Sequence, residues 1–296
     1  MTGNIIVVNP EKLEKIKDNL RHDGPGALHI LSDFDRTLTY HSQAGRKNSA
    51  LIAVLQDGDY LPQEYRDQVA ALYQKYYPIE YDPSIPLLEK KAAMVEWWNE
   101  VFGLLIAFGL TEDMVRRVVA DSQIKLRDGV EAWLDTIKAL GIPLVIFSAS
   151  ALGKEAIDVF LDNLKRHLPD IHIMANSFIW DEAGKATGVR EPIIHSYNKD
   201  ETLIRDFPFF AEIKNRRNVI LCGDSLGDVG MAEGFEHANL LKIGFLNEGV
   251  DNNLSSFKQV YDVVIIGDAS FDFINRLFSD LFPAHQERVE HDAYRR

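Results

Sequence analysis

The feature that most constrains the fold of this 296-residue chain is a set of short aliphatic runs, each of strand length, that stop at small or acidic residues. They are Leu28 to Ser32, Pro143 to Phe147, Asn218 to Cys222 and Asp262 to Ile266. Consecutive apolar positions mark strands buried on both faces, because a half-exposed strand alternates apolar with polar. Ile171 to Met174 and Leu241 to Phe245 are weaker candidates. Helical patterns fall between them, at Gly129 to Leu140, Leu152 to Leu168 and Thr202 to Lys214. Such alternation predicts an α/β fold, a Rossmann-like parallel sheet core with helices on both faces.

The stretch from Ser42 to Asp121 breaks that rhythm, with helical periodicity and aromatics but no convincing buried strand. It predicts a helical subdomain inserted after the first strand at residues 42–121, with residues 1–41 and 122–296 forming the α/β core. Six of the ten tyrosines lie between Tyr60 and Tyr81, and Trp97 and Trp98 follow. These rings either build a binding wall or fill a small core. The polar ending HQERVEHDAYRR is expected to fray.

Composition narrows the function. With 46% hydrophobic residues the chain has enough apolar surface for one large core or two modest ones, which excludes disorder as its main state. Its longest apolar stretch, Val101 to Leu110, is about half of the roughly 20 residues a membrane span requires. Ile5 to Val8 is too short for the apolar stretch of a signal peptide. Cys222 is the single cysteine, so no intrachain disulfide forms. A cytoplasmic protein without a membrane partner is expected, and a monomer. The net charge of −13 and the lack of a basic block argue against polymeric nucleic acid. The same charge repels a small phosphorylated substrate unless the site carries its own positive field.

The chemistry concentrates in LSDFDRTLT, where the first buried run enters Asp33, Phe34, Asp35, Arg36 and Thr37. Two carboxylates two residues apart at a strand's carboxyl end reach the crevice where open α/β sheets bind ligands. A divalent cation relieves their repulsion, and hard oxygen ligands suit Mg²⁺. One carboxylate can then serve as nucleophile and the other as acid and base. An acidic turn after a strand looks the same in isolation. A second cluster, Gly223, Asp224, Ser225, Leu226, Gly227 and Asp228, follows another buried run and is able to complete a metal shell. Gly267 and Asp268 repeat the GD pair without a matching second carboxylate and read as structural.

Ser148, Ala149 and Ser150 precede a helix, an arrangement that cradles an anion or simply caps the helix. Lys199 in HSYNKD is a candidate cation for the same phosphate, or an ordinary surface lysine.

In this order the four pieces resemble the haloacid dehalogenase-like superfamily of phosphatases: DxDxT at Asp33 to Thr37, Ser148, Lys199, and GDxxxD at Gly223 to Asp228. Within it the chain is similar to the cytosolic pyrimidine 5′-nucleotidase family (cytosolic 5′-nucleotidase III). That likeness runs through KYYPIEYDP, MVEWW, VIFSAS, YNKD, GDSLGD, KIGFLN and YDVVIIGD, from about Asn9 to Phe282. The resemblance implies a Mg²⁺-dependent 5′-nucleotidase acting on a nucleoside 5′-monophosphate, of a pyrimidine or of 7-methylguanosine. Asp33 would attack phosphorus to give an aspartyl-phosphate, and Asp35 would protonate the leaving 5′-oxygen. Mg²⁺ would sit among Asp33, the Asp35 carbonyl and Asp224, with Asp228 in support. Ser148, the Ala149 N–H and Lys199 would hold the phosphoryl oxygens. Glu96 of MVEWW is matched to a base-recognising cap glutamate, beside Trp97 and Trp98. On its residues alone, Glu96 is an exposed helix glutamate.

A covalent intermediate also implies some phosphate transfer to nucleoside acceptors. The chain departs from the family in carrying Ser150 where the family's triplet usually ends in glycine, and Ser42 to Leu61 lacks the cysteine and histidine pattern of vertebrate members. A phosphoserine phosphatase-like enzyme and a non-catalytic phospho-acceptor module are the alternatives. The cap aromatics argue against the first and Asp35 against the second.

Overall fold

The computed structural model describes residues 4–43, 46–47, 50–82, 84–164, 168, 170–199 and 207–283. The chain opens with β1 (Ile5–Val7), α1 (Pro10–Asp23) and β2 (Leu28–Asp33). Then come a minimal hairpin, β3 (Ser42–Gln43) and β4 (Arg46–Lys47), and four helices: α2 (Leu51–Asp57), α3 (Gln63–Tyr81), α4 (Leu87–Ala107) and α5 (Glu112–Asp121). Next follow α6 (Val130–Leu140), β5 (Leu144–Ser148), α7 (Gly153–Asp162), β6 (Ile171–Ala175), β7 (Phe178–Trp180) and β8 (Ala186–Val189). The last part holds α8 (Phe210–Ile213), β9 (Asn218–Gly223), β10 (Asn239–Leu246), α9 (Val250–Val260), β11 (Val263–Ile266) and α10 (Asp272–Leu281).

Seven strands form the main sheet in the order β1-β11-β10-β9-β2-β5-β6. The pairings from β10–β11 across to β5–β6 are parallel, as the sequence predicts. The edge pair β1–β11 is antiparallel, so the sheet is mostly and not wholly parallel. That edge strand is the run Ile5 to Val7, three residues long and half-buried, which is too short to stand out as a strand in the sequence.

The continuous apolar runs have a plain cause. Alternate residues of each strand enter different layers: Ile30, Ile146, Ile220 and Ile243 face one core, while Leu31, Val145, Phe147 and Leu221 face the other. Each fully buried aliphatic contributes roughly 1.5–3 kcal/mol, so both faces must be covered. On α6, Val130, Trp133, Leu134 and Ile137 are buried at helical spacing. Helix α1 is started by the Asn9 side chain, which accepts from Lys12 N, and by Pro10 in its first turn.

Two helices differ from expectation. Within the pattern at Leu152 to Leu168 the described α-helix spans Gly153–Asp162, and among the described residues of Thr202 to Lys214 the α-helix is Phe210–Ile213. Residues 200–206 and the polar tail from 284 onward lie outside the described residues. The antiparallel β7–β8 hairpin was not apparent in the sequence, because neither strand exceeds four residues. Between its strands the Asp181 carboxylate accepts from Ala183 N and Lys185 N.

Helices α3 and α4 pack side by side, α4 reaches β8, and α5 lies against α7. Tyr65 and Tyr76 are buried within this helical region, whereas Tyr73 and Tyr77 are exposed and stacked on one another. The tyrosines therefore divide between core and surface.

Candidate active site

Strand order decides where the acidic motifs meet. Strand β2 stands between β5 and β9, and the chain builds outward from it first on one side and then on the other. This reversal is the switch point at which open α/β sheets leave a crevice beyond their carboxyl ends. Register then aligns the ends: Asp33 is level with Phe147, next to Ser148, and Ser32 is level with Cys222, next to Gly223. Three motifs scattered over the sequence become neighbours along one sheet edge.

At that edge Asp33, Asp224 and Asp228 each present an oxygen within 4.8 Å of the others. Lys199 Nζ donates to Asp33 Oδ1 at 2.6 Å and to Asp228 Oδ1 at 3.1 Å. All three of these side chains are buried, Lys199 with 8% of its side chain exposed. It is no surface lysine. An uncompensated buried carboxylate costs several kcal/mol, so the lysine is what allows Asp33 to stand here ionised at all. Burial alone would lower the Lys199 pKa, but Asp228 and Asp33 outweigh it and hold the ammonium charged.

Charge in the cluster remains unbalanced. Burial, assisted by Asp228 and Asp35 and opposed by Lys199, raises Asp33 to about 7. Burial, Asp33 and Asp228 lift Asp224 well above the ordinary carboxylate range. A group of converging hard oxygens with surplus negative charge is the donor set that a small divalent cation fits.

Asp228 has a different task from its neighbours. Its Oδ1 is taken by Lys199, and its Oδ2 accepts from Asp224 N at 3.1 Å, Ser225 N at 2.9 Å and Ser225 Oγ at 2.8 Å. It organises the loop on which Asp224 rides. Gly223 has a reason distinct from ligand approach: a Cβ there would lie 2.4 Å from Asp228 Cβ and 2.8 Å from the Tyr261 hydroxyl. That hydroxyl donates to the Ser225 carbonyl and braces the same loop.

Asp35 sits past the end of β2, partly buried, its pKa raised by burial against the opposing charges of Lys199 and Arg36. A shift in that direction favours the protonated form that a proton donor needs.

Ser148 is buried at the end of β5, and its Oγ accepts from Ser150 N at 3.1 Å. It is not the helix cap, since α7 begins at Gly153 with Leu152 in the capping position and no side-chain cap. Ser150 needs no glycine-like backbone, because Arg36 is the one non-glycine residue with positive φ among the described residues. The left-handed position falls instead at Gly153, with φ 69°, where a Cβ would lie 1.9 Å from the Asn176 carbonyl. Asn176 ties this loop to the segment leading to Lys199, donating to the Ser150 and Ile194 carbonyls and accepting from Ile194 N.

The helical region meets the site at Glu80. Its Oε1 accepts from Ser196 Oγ at 2.6 Å, and its carbonyl accepts from the Tyr197 hydroxyl at 2.5 Å and Lys90 Nζ at 2.8 Å. Ser196 and Tyr197 lie three and two residues before Lys199 in sequence. Glu96 is placed elsewhere, with 63% of its side chain exposed and Lys75 Nζ 3.5 Å away. Glu80 lies in KYYPIEYDP, a motif that carried the family likeness without a role being given to its glutamate. Trp97 and Trp98 are half-buried and belong to a run of rings, Tyr76–Trp97–Trp98–Phe102, that ends against Phe178 of β7. Among the described residues Gly267 and Asp268 join no carboxylate cluster; Asp268 binds Arg127 and the N–H groups of His41 and Ser42.

A mostly parallel sheet with this acidic centre at its switch point and helices inserted after its first motif defines a haloacid dehalogenase-like hydrolase. Solved structures agree with that architecture: a phosphoserine phosphatase in its apo form superposes with a TM-score of 0.50 at 17% identity over 84% of this chain and 97% of that one, a likeness of fold alone. The chain belongs to the pyrimidine 5′-nucleotidase (UMPH-1) family, whose model matches residues 36–282. It is similar to the 7-methylguanosine phosphate-specific 5′-nucleotidases of Rattus norvegicus, at 32% identity over 95% of this chain and 93% of the relative, and of Homo sapiens, at 33% over the same shares. The crystal structure of cytosolic 5′-nucleotidase IIIB bound to cytidine matches with a TM-score of 0.86 and 28% identity, covering 96% and 95% of the two chains. The protein is a 5′-nucleotidase, a phosphoric monoester hydrolase.

Proposed function

We propose that this enzyme hydrolyses nucleoside 5′-monophosphates of the pyrimidine or 7-methylguanosine class, with Mg²⁺, through a phosphorylated Asp33. The observation that carries this reading is the contact of Lys199 with Asp33 among Asp224 and Asp228 at the strand ends. An oxygen of the Asp33 carboxylate attacks phosphorus as the bond to the 5′-oxygen breaks, and Asp35 gives that oxygen its proton. The products are a nucleoside and an acyl phosphate on Asp33. Asp35, now ionised, takes a proton from the incoming water, which displaces phosphate and restores Asp33. A nucleoside hydroxyl in place of water would transfer the phosphoryl group instead.

Asp33, the Asp35 carbonyl and Asp224 would hold Mg²⁺, with Asp228 shaping the loop; the ion supplies the positive field that a chain of charge −13 otherwise lacks. Ser148, the Ala149 N–H and Lys199 would bind the phosphoryl oxygens. Residues 42–121 serve as the cap over a core of 1–41 and 122–296. Within the cap, Glu80 is the carboxylate placed to accept from a base amino group or face a cationic base, and the Trp97–Trp98 run offers the aromatic wall. Glu96 is too far into solvent to be the first choice. The names of the relatives support 7-methylguanosine monophosphate as a substrate, the family name pyrimidine nucleotides. No described helix is long and apolar enough to cross a membrane. Action on cytoplasmic nucleotides, as a monomer, is part of the same proposal.

Phosphate release from a panel of UMP, CMP, 7-methylguanosine monophosphate and phosphoserine, with and without Mg²⁺, tests this reading. Nucleotide hydrolysis that requires Mg²⁺ and disappears in Asp33→Asn is expected. Preference for phosphoserine would overturn the substrate class, and turnover surviving in Asp33→Asn would overturn the nucleophile.

A further inference from the structure

Arg127 is 1% exposed, lies outside every motif considered so far, and uses its whole guanidinium. Nε donates to the Thr37 carbonyl at 2.8 Å, Nη1 to Asp268 Oδ1 at 3.0 Å and the Ala269 carbonyl at 2.7 Å, and Nη2 to the Arg36 carbonyl at 2.5 Å and Asn247 Oδ1 at 2.6 Å. Its five N–H groups are thus all engaged, and two of them go to the backbone of the turn that follows Asp35.

That turn needs holding. Arg36 has φ 62°, a left-handed conformation that a residue with a Cβ rarely adopts. Its N–H donates to Thr39 Oγ1, and its carbonyl accepts from Asn247 Nδ2 at 3.0 Å as well as from Arg127. Two donors on one carbonyl fix the peptide after Arg36, and the left-handed φ of Arg36 joins that peptide directly to Asp35. Asp268, bound to the same guanidinium, also accepts from His41 N at 2.9 Å, Ser42 N at 2.6 Å and Ser42 Oγ at 2.9 Å. Thr39 bridges to Leu126, and Arg127 N donates to the Leu38 carbonyl, so the chain entering α2–α5 and the chain leaving them run together beside this guanidinium.

We propose that Arg127 is a positioning residue for proton transfer, clamping the left-handed turn at Arg36 so that the Asp35 carboxyl is aimed at the leaving oxygen, with Asp268 and Asn247 fixing the clamp to the strand ends. The inference rests on Asp35 being the acid of the proposed reaction. A lysine at 127 keeps the charge but offers three donors on a single nitrogen in place of a rigid fork, so it cannot serve the Arg36, Thr37 and Asp268 partners together.

The test uses ring-substituted phenyl phosphates, which carry no nucleobase and so bypass recognition by the cap. When a general acid is misaligned, esters of weakly acidic phenols suffer most, because their leaving oxygen most needs the proton. In Arg127→Lys, kcat/KM against phenol pKa is expected to steepen, with the least acidic phenol losing about tenfold more than the most acidic one. Asp35→Asn serves as the benchmark and is expected to steepen further. A uniform loss across the series in Arg127→Lys, or no loss, beside a steepened Asp35→Asn overturns the positioning role and leaves the catalytic reading standing. An unchanged slope in both variants removes Asp35 as the acid, and the alignment by Arg127 with it. Should Arg127→Lys fail to fold, Asn247→Ala, which removes one partner of Nη2 and one donor to the Arg36 carbonyl at a less buried position, is subject to the same two outcomes.

Discussion

The ammonium of Lys199 lies 2.6 Å from Oδ1 of Asp33 although 166 residues separate them in the chain. One residue ends a central strand, and the other follows a loop held by Asn176, His195 and Asn198. The pair makes the central buried carboxylate tolerable and leaves it beside two further acids.

Replacing Lys199 with methionine keeps the volume and removes the charge. Phosphate release is expected to fall by about 10²–10³-fold, and urea denaturation of the metal-free protein at neutral pH to show a loss of roughly 3 kcal/mol or more. Activity within threefold of the parent would show that Lys199 is only a counter-ion for the fold.

Proton and metal should compete at this centre. Burial and neighbouring carboxylates raise Asp33 to about 7 and lift Asp224 as well. Between its ordinary and its raised pKa, such an acid binds more protons folded than unfolded, so without metal its contribution to stability is greatest in acid. That contribution declines as pH climbs from about 4 toward 7. Saturating Mg²⁺ is therefore expected to raise Tm more at about pH 8 than at about pH 5.5. Equal upshifts in the two buffers, read by differential scanning fluorimetry, would argue that the ion binds elsewhere.

Two glutamates of the helical region can be separated by kinetics. Glu80→Gln is expected to raise KM for nucleoside monophosphates about tenfold while leaving an aryl phosphate nearly unchanged, whereas Glu96→Gln alters neither. The reverse ordering would return base recognition to Glu96.

Gly153→Ala probes the phosphate loop. A Cβ at φ 69° and 1.9 Å from the Asn176 carbonyl forces the loop after Ser148 to shift. A destabilisation of about 2–4 kcal/mol by chemical denaturation, with a raised KM for phosphate esters, is expected. A variant as stable as the parent would mean that the turn has another conformation within easy reach.

Much of this molecule was legible in the sequence because local physics is repetitive. A buried strand must be apolar at consecutive positions, so β2, β5, β9 and β11 announced themselves, and carboxylates at their ends were conspicuous against that background. Elements that draw stability from elsewhere were silent. β1 is three residues pairing backwards on β11, and the β7–β8 hairpin is held by an Asx turn and by contact with α4.

The same divide runs through the site. Asp33, Asp35, Asp224 and Asp228 were singled out by type and spacing, Ser148 and Lys199 by their place beside strands and by the family resemblance; the structure brings Asp33, Asp224 and Asp228 together and bonds Lys199 to Asp33 and Asp228. Glu96 was singled out by the family resemblance alone, and Glu80 drew no attention, because helical periodicity gives no sign of which glutamate reaches across to Ser196. Arg127 gave no signal either, since an arginine before an Asp-Gly turn reads as a solvated charge.

From the sequence alone came the layered α/β plan, the inserted helices and the acidic motifs at the strand ends, because these depend on hydrophobic period and on functional groups placed next to strands. Tertiary structure alone decided which charges are buried together, which glutamate reaches Ser196 and which arginine braces the turn after Asp35. Those outcomes follow from strand register and from long-range hydrogen bonds, and neither is encoded in any single stretch of residues.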